Sequence, residues 1–518
     1  MPNYTSKVAK ADVTVLIIGA GAGGLAMGYQ LKHKLRCNDF RIVERRSGIG
    51  GSWWSNRYPG VACDVPSALY SFSFSPYYTS TRLYPDGSEF RQYLETTAAK
   101  FDLKPHIQLN TDVTDLRWIS DVSQWEATLT HLVPGAGDLS TRERETKISS
   151  QGREAVILRT EKIRAKVVVS CRDTFKGPVF HTARWRPDVD LNGKNVVVIG
   201  AGCSAAQVVP SLLGAPYHVK SLTQIIRQAP WVMSRLEEPF GKEKFAKYAP
   251  TVLYYLPVLG WLYRIGIHIL VEVIFVSVFK RKNVKWRKAI EKSTLDRMKE
   301  LVPEKYHEMM TPDYAYGCKR RVFDSEWLTS MRKPNFKLVN REILAVEEKG
   351  LILGVPYVGS NTHNNSSENT PLRDIRIPAD AIILATGFQT TSFLHPLTVH
   401  GLSNISLHTL WRHRGAPQAY MGIAVDDFPN FFMCLGPNTV NGTHSLLLVI
   451  ENMAGYIGKV VEPVVAGRVA TVEVRREAVE RWTGDVRRDL GSTVFGGGEG
   501  GCRSWYVEEG RVSGVLYP

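Results

Sequence analysis

Two glycine-rich segments carry the clearest chemical signal in the sequence. Residues 19–24 (GAGAGG) and 200–205 (GAGCSA) each follow an apolar run, at 13–18 and 196–199, and each opens a helix-like stretch. Glycines in such a turn let the backbone approach a pyrophosphate at a helix N-terminus, where the dipole and the free N–H groups favour an anion. The pattern of strand, tight turn and helix therefore predicts two dinucleotide-binding folds, whose first glycines are 181 residues apart.

The residue that ends the next strand differs between the two copies. Glu44 follows residues 40–43 (FRIV), 20 positions after Gly24, where a carboxylate can accept hydrogen bonds from ribose hydroxyls. In the second copy Arg227 follows residues 222–226 (LTQII). A guanidinium binds a 2′-phosphate through a fork of charged donors, whereas an acid would repel it. This favours NADP(H) as the second nucleotide, and a plain surface charge is the alternative for Arg227.

A third segment lies just before the second dinucleotide fold. Residues 175–185 (FKGPVFHTARW) fit the pattern FxGxxxHxxxW, which is similar to the fingerprint of the Baeyer-Villiger monooxygenases. Other segments resemble that family in the same order along nearly the whole chain: 50–53 (GGSW), 56–60 (NRYPG), Cys63-Asp64, Tyr70, 317–320 (GCKR), 385–388 (ATGF) and 504–506 (SWY).

The resemblance implies an enzyme that uses FAD, NADPH and O₂ to insert one oxygen atom beside a ketone, giving an ester or lactone. In this family the oxidant is an anion formed from O₂ on the reduced flavin, and a permanently protonated cation is suited to stabilise it. By resemblance Arg320 is that cation, and Asp64 holds and orients it. Lys319 joins Arg227 on the 2′-phosphate. A surface basic patch around Arg320 and a turn cap at Asp64 are the simpler alternatives.

The predicted site therefore contains two catalytic residues, Arg320 and Asp64, and no metal. His181 and Trp185 are expected to tether two domains rather than to touch substrate. The residues predicted to bind FAD or NADPH are Gly19, Gly21, Gly24, Glu44, Ser52, Trp53, Asp64, Tyr70, Gly200, Gly202, Ser204, Gln207, Arg227, Lys319 and Trp505.

These motifs predict an α/β fold with two Rossmann-like domains, for FAD and NADP, and a helical insertion. The predicted order is a first FAD-binding part at 1–165, a first NADP-binding part at 175–235, a helical, apolar insertion at 236–311, a second NADP-binding part at 312–382 and a second FAD-binding part at 383–518. Residues 134–153, rich in Gly, Ser and charge, are predicted to be a solvent-exposed connection between two strands.

The insertion raises the question of membrane contact. Its longest stretch without a formal charge, 248–263, has 16 residues and two prolines, short of the roughly 18 to 20 that a span needs. Arg264, His268 and Glu272 recur on one helical face, and a basic segment follows at 280–288. Peripheral membrane contact through 252–288 is one expectation, and a helix that covers its own domain is the other.

Composition limits the class of protein and its partners. With 44% hydrophobic residues the chain can bury sizeable cores, and its net charge of +15 invites an anionic partner. No basic groove interleaved with aromatic residues is evident, so no nucleic-acid partner is predicted. Seven scattered cysteines without a CxxC suggest neither a disulfide framework nor a zinc site, and a polar N-terminus suggests no secretory signal. A cytoplasmic protein, with or without membrane association, is therefore expected.

One segment departs from the family pattern. Only residues 172–174 separate the strand-like 166–171 from Phe175, where the family has a longer turn and a proline-rich loop. Three residues span at most about 10 Å, so the two domains must be joined tightly. A catalytically impaired flavoprotein is thus one alternative, and an N- or S-hydroxylating flavin monooxygenase is another, against which Trp185 and Lys319-Arg320 argue. We expect a hydrophobic substrate, such as a polyketide- or terpenoid-like secondary metabolite, and make no prediction of the individual ketone or the oligomeric state.

Overall fold

The computed structural model describes residues 11–171, 181–280, 282–324, 326–357, 374–387, 393–439 and 445–495, together with 507–508 and 511–512. Strands and helices are numbered separately below, each in chain order. The predicted fingerprint residues 175–180, the short segment at 172–174 and Trp505 lie outside the described residues.

The larger sheet is built mainly from the N-terminal third of the chain and runs in the order β16-β4-β5-β6-β1-β2-β3, with β17 paired to the end of β6. Its pairs are parallel except for the antiparallel meander β4-β5-β6. The strands are β1 (Val13–Ile18), β2 (Phe40–Val43), β3 (Ile107–Gln108), β4 (Thr111–Ile119), β5 (Gln124–Leu132), β6 (Ile157–Ser170), β16 (Thr398–His400) and β17 (Phe431–Met433).

The second sheet is smaller and wholly parallel, in the order β11-β8-β7-β15. Its strands are β7 (Asn195–Ile199), β8 (Ser221–Ile225), β11 (Phe336–Val339) and β15 (Ala381–Leu384). Near-continuous apolar runs such as VTVLII in β1 and NVVVI in β7 suit strands that are covered on both faces. The two predicted Rossmann-like folds are confirmed. The domain boundaries stay predictions, and β15 runs across the boundary predicted between 382 and 383.

The remaining strands form small accessory sheets. These are the parallel pair β9 (Val232–Ser234) and β10 (Val322–Asp324), the antiparallel β12 (Ile343–Glu347), β13 (Gly350–Leu353) and β14 (Ile375–Pro378), and the pair β18 (Val507–Glu508) and β19 (Arg511–Val512).

Helices cover the sheets and form the insertion. They are α1 (Ala22–Tyr29), α2 (Ser52–Ser55), α3 (Gly87–Lys100), α4 (Thr141–Gln151), α5 (Cys203–Leu213), α6 (Lys242–Tyr255), α7 (Pro257–Phe279), α8 (Val284–Leu301), α9 (Trp327–Ser330), α10 (Leu407–His413), α11 (Leu446–Val465) and α12 (Arg476–Gly491). The buried faces of α1, α3 and α11 share one apolar core with β1 and β6, and α5 packs in a second core on the smaller sheet.

Two expectations change in the structure. The connection 134–153 does join β5 to β6, but it contains α4, which begins with a capping box between Ser140 and Glu143. The insertion contains a longer apolar helix than its charge-free stretch 248–263 suggested. Helix α7 begins at Pro257 and continues past the charged residues Arg264 and Glu272 to Phe279. Within the described ranges, the window Pro257–Ile274 is long and apolar enough to cross a membrane, and only 11% of it is buried.

Candidate active site

The first glycine turn brings α1 tightly behind β1. Gly19 has a φ of +104°, which suits glycine, and a Cβ added at Gly24 would lie 1.9 Å from the carbonyl oxygen of Gly19. The helix begins after Gly21 without a side-chain cap, so its first N–H groups are available to an anion. Gly24 itself does not line the cavity described below. Its part is to permit the close approach of helix and strand.

Glu44 lies beside this turn at the end of β2, as its position in the sequence predicted. Its carboxylate is buried and accepts hydrogen bonds from the backbone N–H of Ala20 at 2.8 Å and of Arg46 at 2.9 Å. The carboxylate is thus fixed next to the pyrophosphate-binding backbone, where ribose hydroxyls of a dinucleotide would reach it.

The segment that includes α2 closes over the same turn. Gly51 has a φ of +56°, and a Cβ added there would lie 3.0 Å from the Cα of Gly21. Ser52 and Trp53 follow at the start of α2, and the indole Nε1 of Trp53 donates to the hydroxyl of Tyr70 at 3.3 Å. The space between Gly51 and Gly21 is so narrow that a single Cβ would fill it, and the fixed Glu44 carboxylate lies beside it. This arrangement fits the pyrophosphate and ribose of a bound FAD.

The second glycine turn has the same construction. Gly200 has a φ of +130°, and a Cβ added there would lie 2.3 Å from the carbonyl oxygen of Ala385, so the residues after β15 lie directly on the turn. Helix α5 begins after Gly202, again without a side-chain cap. This arrangement fits the pyrophosphate of a second dinucleotide.

Gln207 on α5 makes contacts that its predicted cofactor role did not include. Its Oε1 accepts from the Tyr58 hydroxyl at 2.8 Å, and its Nε2 donates to the carbonyl oxygen of Ala62 at 3.0 Å. The loop 58–62 precedes Asp64 and belongs to the N-terminal part of the chain. Gln207 therefore connects the two nucleotide folds, a contact between residues 149 positions apart.

Lys319 lies close to Arg227, as the predicted 2′-phosphate site requires. Burial and the neighbouring Arg227 charge together lower the pKa of Lys319 to about 8. Its ammonium group donates to the Oε1 of Gln228 and lies 4.6 Å from the centre of the Tyr314 ring. Two cations held near each other favour an anionic ligand between them.

Gln228 is a site residue that the sequence motifs did not predict. Its side chain joins Lys319 to Asp313, because its Nε2 donates to an Asp313 carboxylate oxygen. The signal available in the sequence was its position directly after Arg227. Cys318 is disulfide-bonded, which the scattered cysteines of the sequence did not suggest.

Arg320 and Asp64 form an ion pair, although 256 residues separate them in the chain. The Nε and Nη2 of Arg320 lie 3.1 Å and 2.5 Å from Oδ2 of Asp64. Burial opposes the negative charge, yet the Arg320 guanidinium outweighs it and holds the pKa of Asp64 below its ordinary value. The carboxylate therefore stays ionised and fixes the guanidinium.

The neighbouring arginine is in a different environment. Arg321 is buried, and its Nη1 donates to the Tyr316 hydroxyl at 3.2 Å while its guanidinium lies 5.6 Å from the ring centres of Tyr316 and Phe323. Residues 320–321 are therefore not a shared surface patch.

One cavity of about 950 Å³ collects both turns and the ion pair. The predicted residues that line it are Gly19, Gly21, Glu44, Ser52, Trp53, Asp64, Tyr70, Gly200, Gly202, Ser204, Gln207, Arg227, Lys319 and Arg320. Apolar side chains complete the wall, among them Phe393, Leu435, Leu446 and Ile450. A charged pair beside two dinucleotide sites and an apolar wall can hold an apolar substrate next to a developing negative charge.

The described part of the fingerprint contacts Gly387, a residue that lines this cavity. His181 forms a bridge with Leu384 of β15, and its Nε2 is 3.0 Å from the carbonyl oxygen of Gly387, which follows that strand. Trp185 stacks edge-on against Tyr217, with ring centres 6.1 Å apart. The described contacts of His181 and Trp185 are with a backbone carbonyl and a neighbouring ring, and their role as tethers between two domains stays a prediction.

Comparison with known proteins gives matches along the whole chain. A Baeyer-Villiger monooxygenase of Streptomyces coelicolor is 31% identical over 521 residues, covering 98% of this chain and 89% of the relative. An FAD-binding monooxygenase, ktnD, of Aspergillus niger is 30% identical over 524 residues, covering 99% of this chain and 80% of the relative.

Family models and solved structures add to this result. The NAD(P)-binding Rossmann-like domain matches residues 17–86, and the L-lysine 6-monooxygenase/L-ornithine 5-monooxygenase family matches residues 69–258. An oxidized steroid monooxygenase bound to NADP superposes with a TM-score of 0.73 at 24% identity over 97% of this chain and 94% of the other. OTEMO in complex with FAD and NADP superposes with a TM-score of 0.74 at 19% identity, over 98% and 95%. These structural likenesses establish a shared fold.

Proposed function

The chain belongs to the Baeyer-Villiger monooxygenase family, and from that premise we propose that it converts an apolar, polyketide- or terpenoid-like ketone into an ester or lactone with FAD and NADPH. The observation that carries the proposal is the Arg320–Asp64 ion pair, which shares one cavity with both glycine turns. Overall, the ketone, O₂, NADPH and a proton give the ester, NADP⁺ and water. One oxygen atom enters the bond beside the carbonyl and the other leaves as water.

The residues present divide into two nucleotide sites. The first turn, with Glu44, Ser52, Trp53 and Tyr70, would hold FAD, and the second turn, with Arg227 and Lys319, would hold NADPH. When bound, FAD supplies the electrons that activate O₂, after its reduction by NADPH. The Lys319 and Arg227 charges would bind the 2′-phosphate and so select NADPH over NADH.

The guanidinium of Arg320 supplies the electrostatic part of the chemistry. It is permanently protonated, and Asp64 holds it in one orientation, so it is already in place when negative charge develops on oxygen near the ketone. Preorganised donors of this kind stabilise a transition state without the reorganisation that water would need. Apolar wall residues such as Phe393 and Leu446 support the choice of an apolar substrate, because they would exclude water around the ketone.

The decisive experiment uses the purified chain, NADPH and isotope-labelled O₂ with a panel of apolar ketones, analysed by mass spectrometry. We expect a flavin absorption band that bleaches with NADPH and returns in air, and one labelled oxygen in the ester. A colourless protein would favour an impaired flavoprotein instead. Flavin turnover that yields only hydrogen peroxide across the panel would contradict the proposal.

A second candidate is oxygen transfer to nitrogen or sulfur. The match of residues 69–258 to the L-lysine 6-monooxygenase/L-ornithine 5-monooxygenase family favours it. An amine and a sulfide in the same panel separate the two functions. A hydroxylated amine or a sulfoxide as the sole product, with every ketone unchanged, would establish this candidate in place of the first.

A further inference from the structure

The outward side of α7 is apolar and exposed, the reverse of an ordinary surface helix. Large side chains recur there at a spacing of three or four residues, and Val258 is 65% exposed, Ile269 57% and Val273 57%. We call the exposed apolar residues of α7, of Leu256 before it and of the last two positions of α6 the α7 outer face. Its members are Tyr254, Tyr255, Leu256, Val258, Leu259, Trp261, Leu262, Ile269, Leu270 and Val273. A contiguous patch of this kind marks an interaction surface.

The opposite side of α7 is attached to the N-terminal part of the chain. A Cβ added at Gly260 would lie 2.5 Å from the Tyr78 ring, and Nη1 of Arg264 donates to the Ser71 hydroxyl at 3.2 Å. Ile267 is buried on the same side. Because Gly260, Arg264 and Ile267 contact or pack against the rest of the chain, the helix is held in place with its other, apolar side outward. It cannot cross a bilayer without losing these contacts, so it would lie along a surface.

Charge around the α7 outer face favours one kind of partner. Residues 242–288 contain ten Lys and Arg and only two Asp and Glu. Lys282, Lys285 and Lys288 are exposed, and Trp286 between them is 67% exposed. Basic residues beside an apolar face with Tyr and Trp are typical of helices that lie in the interface of an anionic membrane. A second copy of the chain would bring like charges together.

We propose that the α7 outer face, together with the basic flank formed by Lys282, Lys285 and Lys288, docks this enzyme on an anionic lipid surface, with α7 parallel to the membrane plane. The apolar side chains enter the headgroup region while the lysines contact lipid phosphates and carboxylates. Attraction of this kind weakens with salt, because mobile ions screen the exposed charges.

The test is flotation of the full-length protein with vesicles of phosphatidylcholine, with and without about one quarter phosphatidylserine. We expect binding to the anionic vesicles that falls with added salt. The double variant Val258→Glu, Leu262→Glu should lower it at least about tenfold. Lys282→Ala, Lys285→Ala and Lys288→Ala together should weaken binding to anionic vesicles and leave the weak binding to neutral ones unchanged. The control is Val346→Glu, at a valine of β12 that is also 65% exposed, and it should bind like the parent.

Three results would overturn the proposal. One is no partition of the parent protein into either vesicle type. Another is binding that the α7 substitutions leave unchanged. The third is a dimer in solution that Val258→Glu dissociates while vesicle binding is absent, which would make the face an interface between two copies. Flavin retention and melting temperature, measured on every variant, show that the fold is intact in each comparison.

Discussion

At the scale of single residues, chemistry in this protein depends on a charge that is fixed before substrate arrives. Arg320 is partly exposed to the cavity, and the ionised Asp64 carboxylate restrains it through two hydrogen bonds. A flexible surface arginine would lose conformational freedom on meeting an anion, whereas this one has already lost it. The chemistry therefore requires that Asp64, from the first half of the chain, and Arg320, from the second half, meet in the same cavity.

Replacing Arg320 should separate oxygen transfer from flavin binding. We expect Arg320→Ala to lower the rate of ester formation by about 10²- to 10³-fold, because one preorganised donor is lost from the transition state. FAD content should be unchanged, and NADPH should still be consumed with release of hydrogen peroxide. The matched control is Arg186→Ala, which breaks an exposed arginine–carboxylate pair with Asp188 and should leave turnover unaltered. Unchanged ketone turnover in Arg320→Ala would remove this residue from the mechanism.

The lowered pKa of Lys319, about 8, predicts a pH dependence of NADPH use. The ammonium form is the one that attracts a 2′-phosphate, and its fraction falls as pH rises through the pKa. We therefore expect KM for NADPH to be flat near pH 7 and to rise by up to about tenfold per pH unit above pH 8. KM for NADH, which lacks the 2′-phosphate, should stay constant.

Lys319→Arg provides the control for this profile, because a guanidinium remains charged over the whole range. The variant should bind NADPH with a KM that no longer rises above pH 8. Initial rates from pH 7 to about pH 9.5 with both coenzymes measure the effect. An equal rise for NADH and NADPH would assign the titration to another group.

Residue types, their spacing and family motifs together predicted much of this site. Glu44 and Arg227 were predicted from the end of a strand after a glycine turn, and Arg320 and Asp64 from a family motif. Gln228 and Tyr58 were given no role, although Tyr58 lies in the family-like segment 56–60. The sequence does not indicate which group an amide or a phenol will contact, whereas a glycine turn predicts its own backbone geometry.

At the scale of elements, the contact between β1 and α1 is the most sterically demanding feature of the first nucleotide site. In Gly24→Ala the new methyl group would lie 1.9 Å from the carbonyl oxygen of Gly19, so α1 must move away from the strand. We expect loss of FAD and a lower melting temperature, measured by flavin fluorescence and by thermal unfolding. Gly484→Ala in α12 is the matched control, because no atom lies within 4 Å of the added Cβ. That variant should retain FAD and be more stable by about 0.5–1 kcal/mol. Normal FAD content in Gly24→Ala would contradict the tight packing.

Element types were more predictable than their surroundings. The two strand–turn–helix units followed from apolar runs and glycines, and the insertion followed from its helical character. The direction of α7 did not follow, because a helical period of 3.6 residues defines two faces without saying which one meets the protein. Helix α4 was missed in a polar connection, although the Ser140 and Glu143 pattern of a capping box was legible in the sequence.

At the scale of the whole molecule, function requires that two separately folded nucleotide sites open into one cavity. The sequence predicted both folds, but the distance between them depends on contacts that only the folded chain shows. The loop 58–62 lies on α5, and a Cβ added at Gly60, where φ is +81°, would lie 2.5 Å from the carbonyl oxygen of Gln207. The Tyr58–Gln207 hydrogen bond fixes this contact next to Asp64.

Gln207 therefore offers a test of how the domains cooperate. If its amide mainly joins the domains, Gln207→Ala should bind FAD and NADPH with unchanged affinity, yet NADPH should reduce the flavin about tenfold more slowly. The reason is that Tyr58 loses its acceptor and the loop 58–62 loses a restraint, at a cost of about 1–3 kcal/mol. Stopped-flow bleaching of the flavin measures reduction, and equilibrium titration measures affinity. The exposed Gln151 at the end of α4 serves as the control, and Gln151→Ala should reduce at the parent rate. Weaker NADPH affinity with a normal rate at saturation would instead make Gln207 a cofactor ligand, the role predicted for it from the sequence.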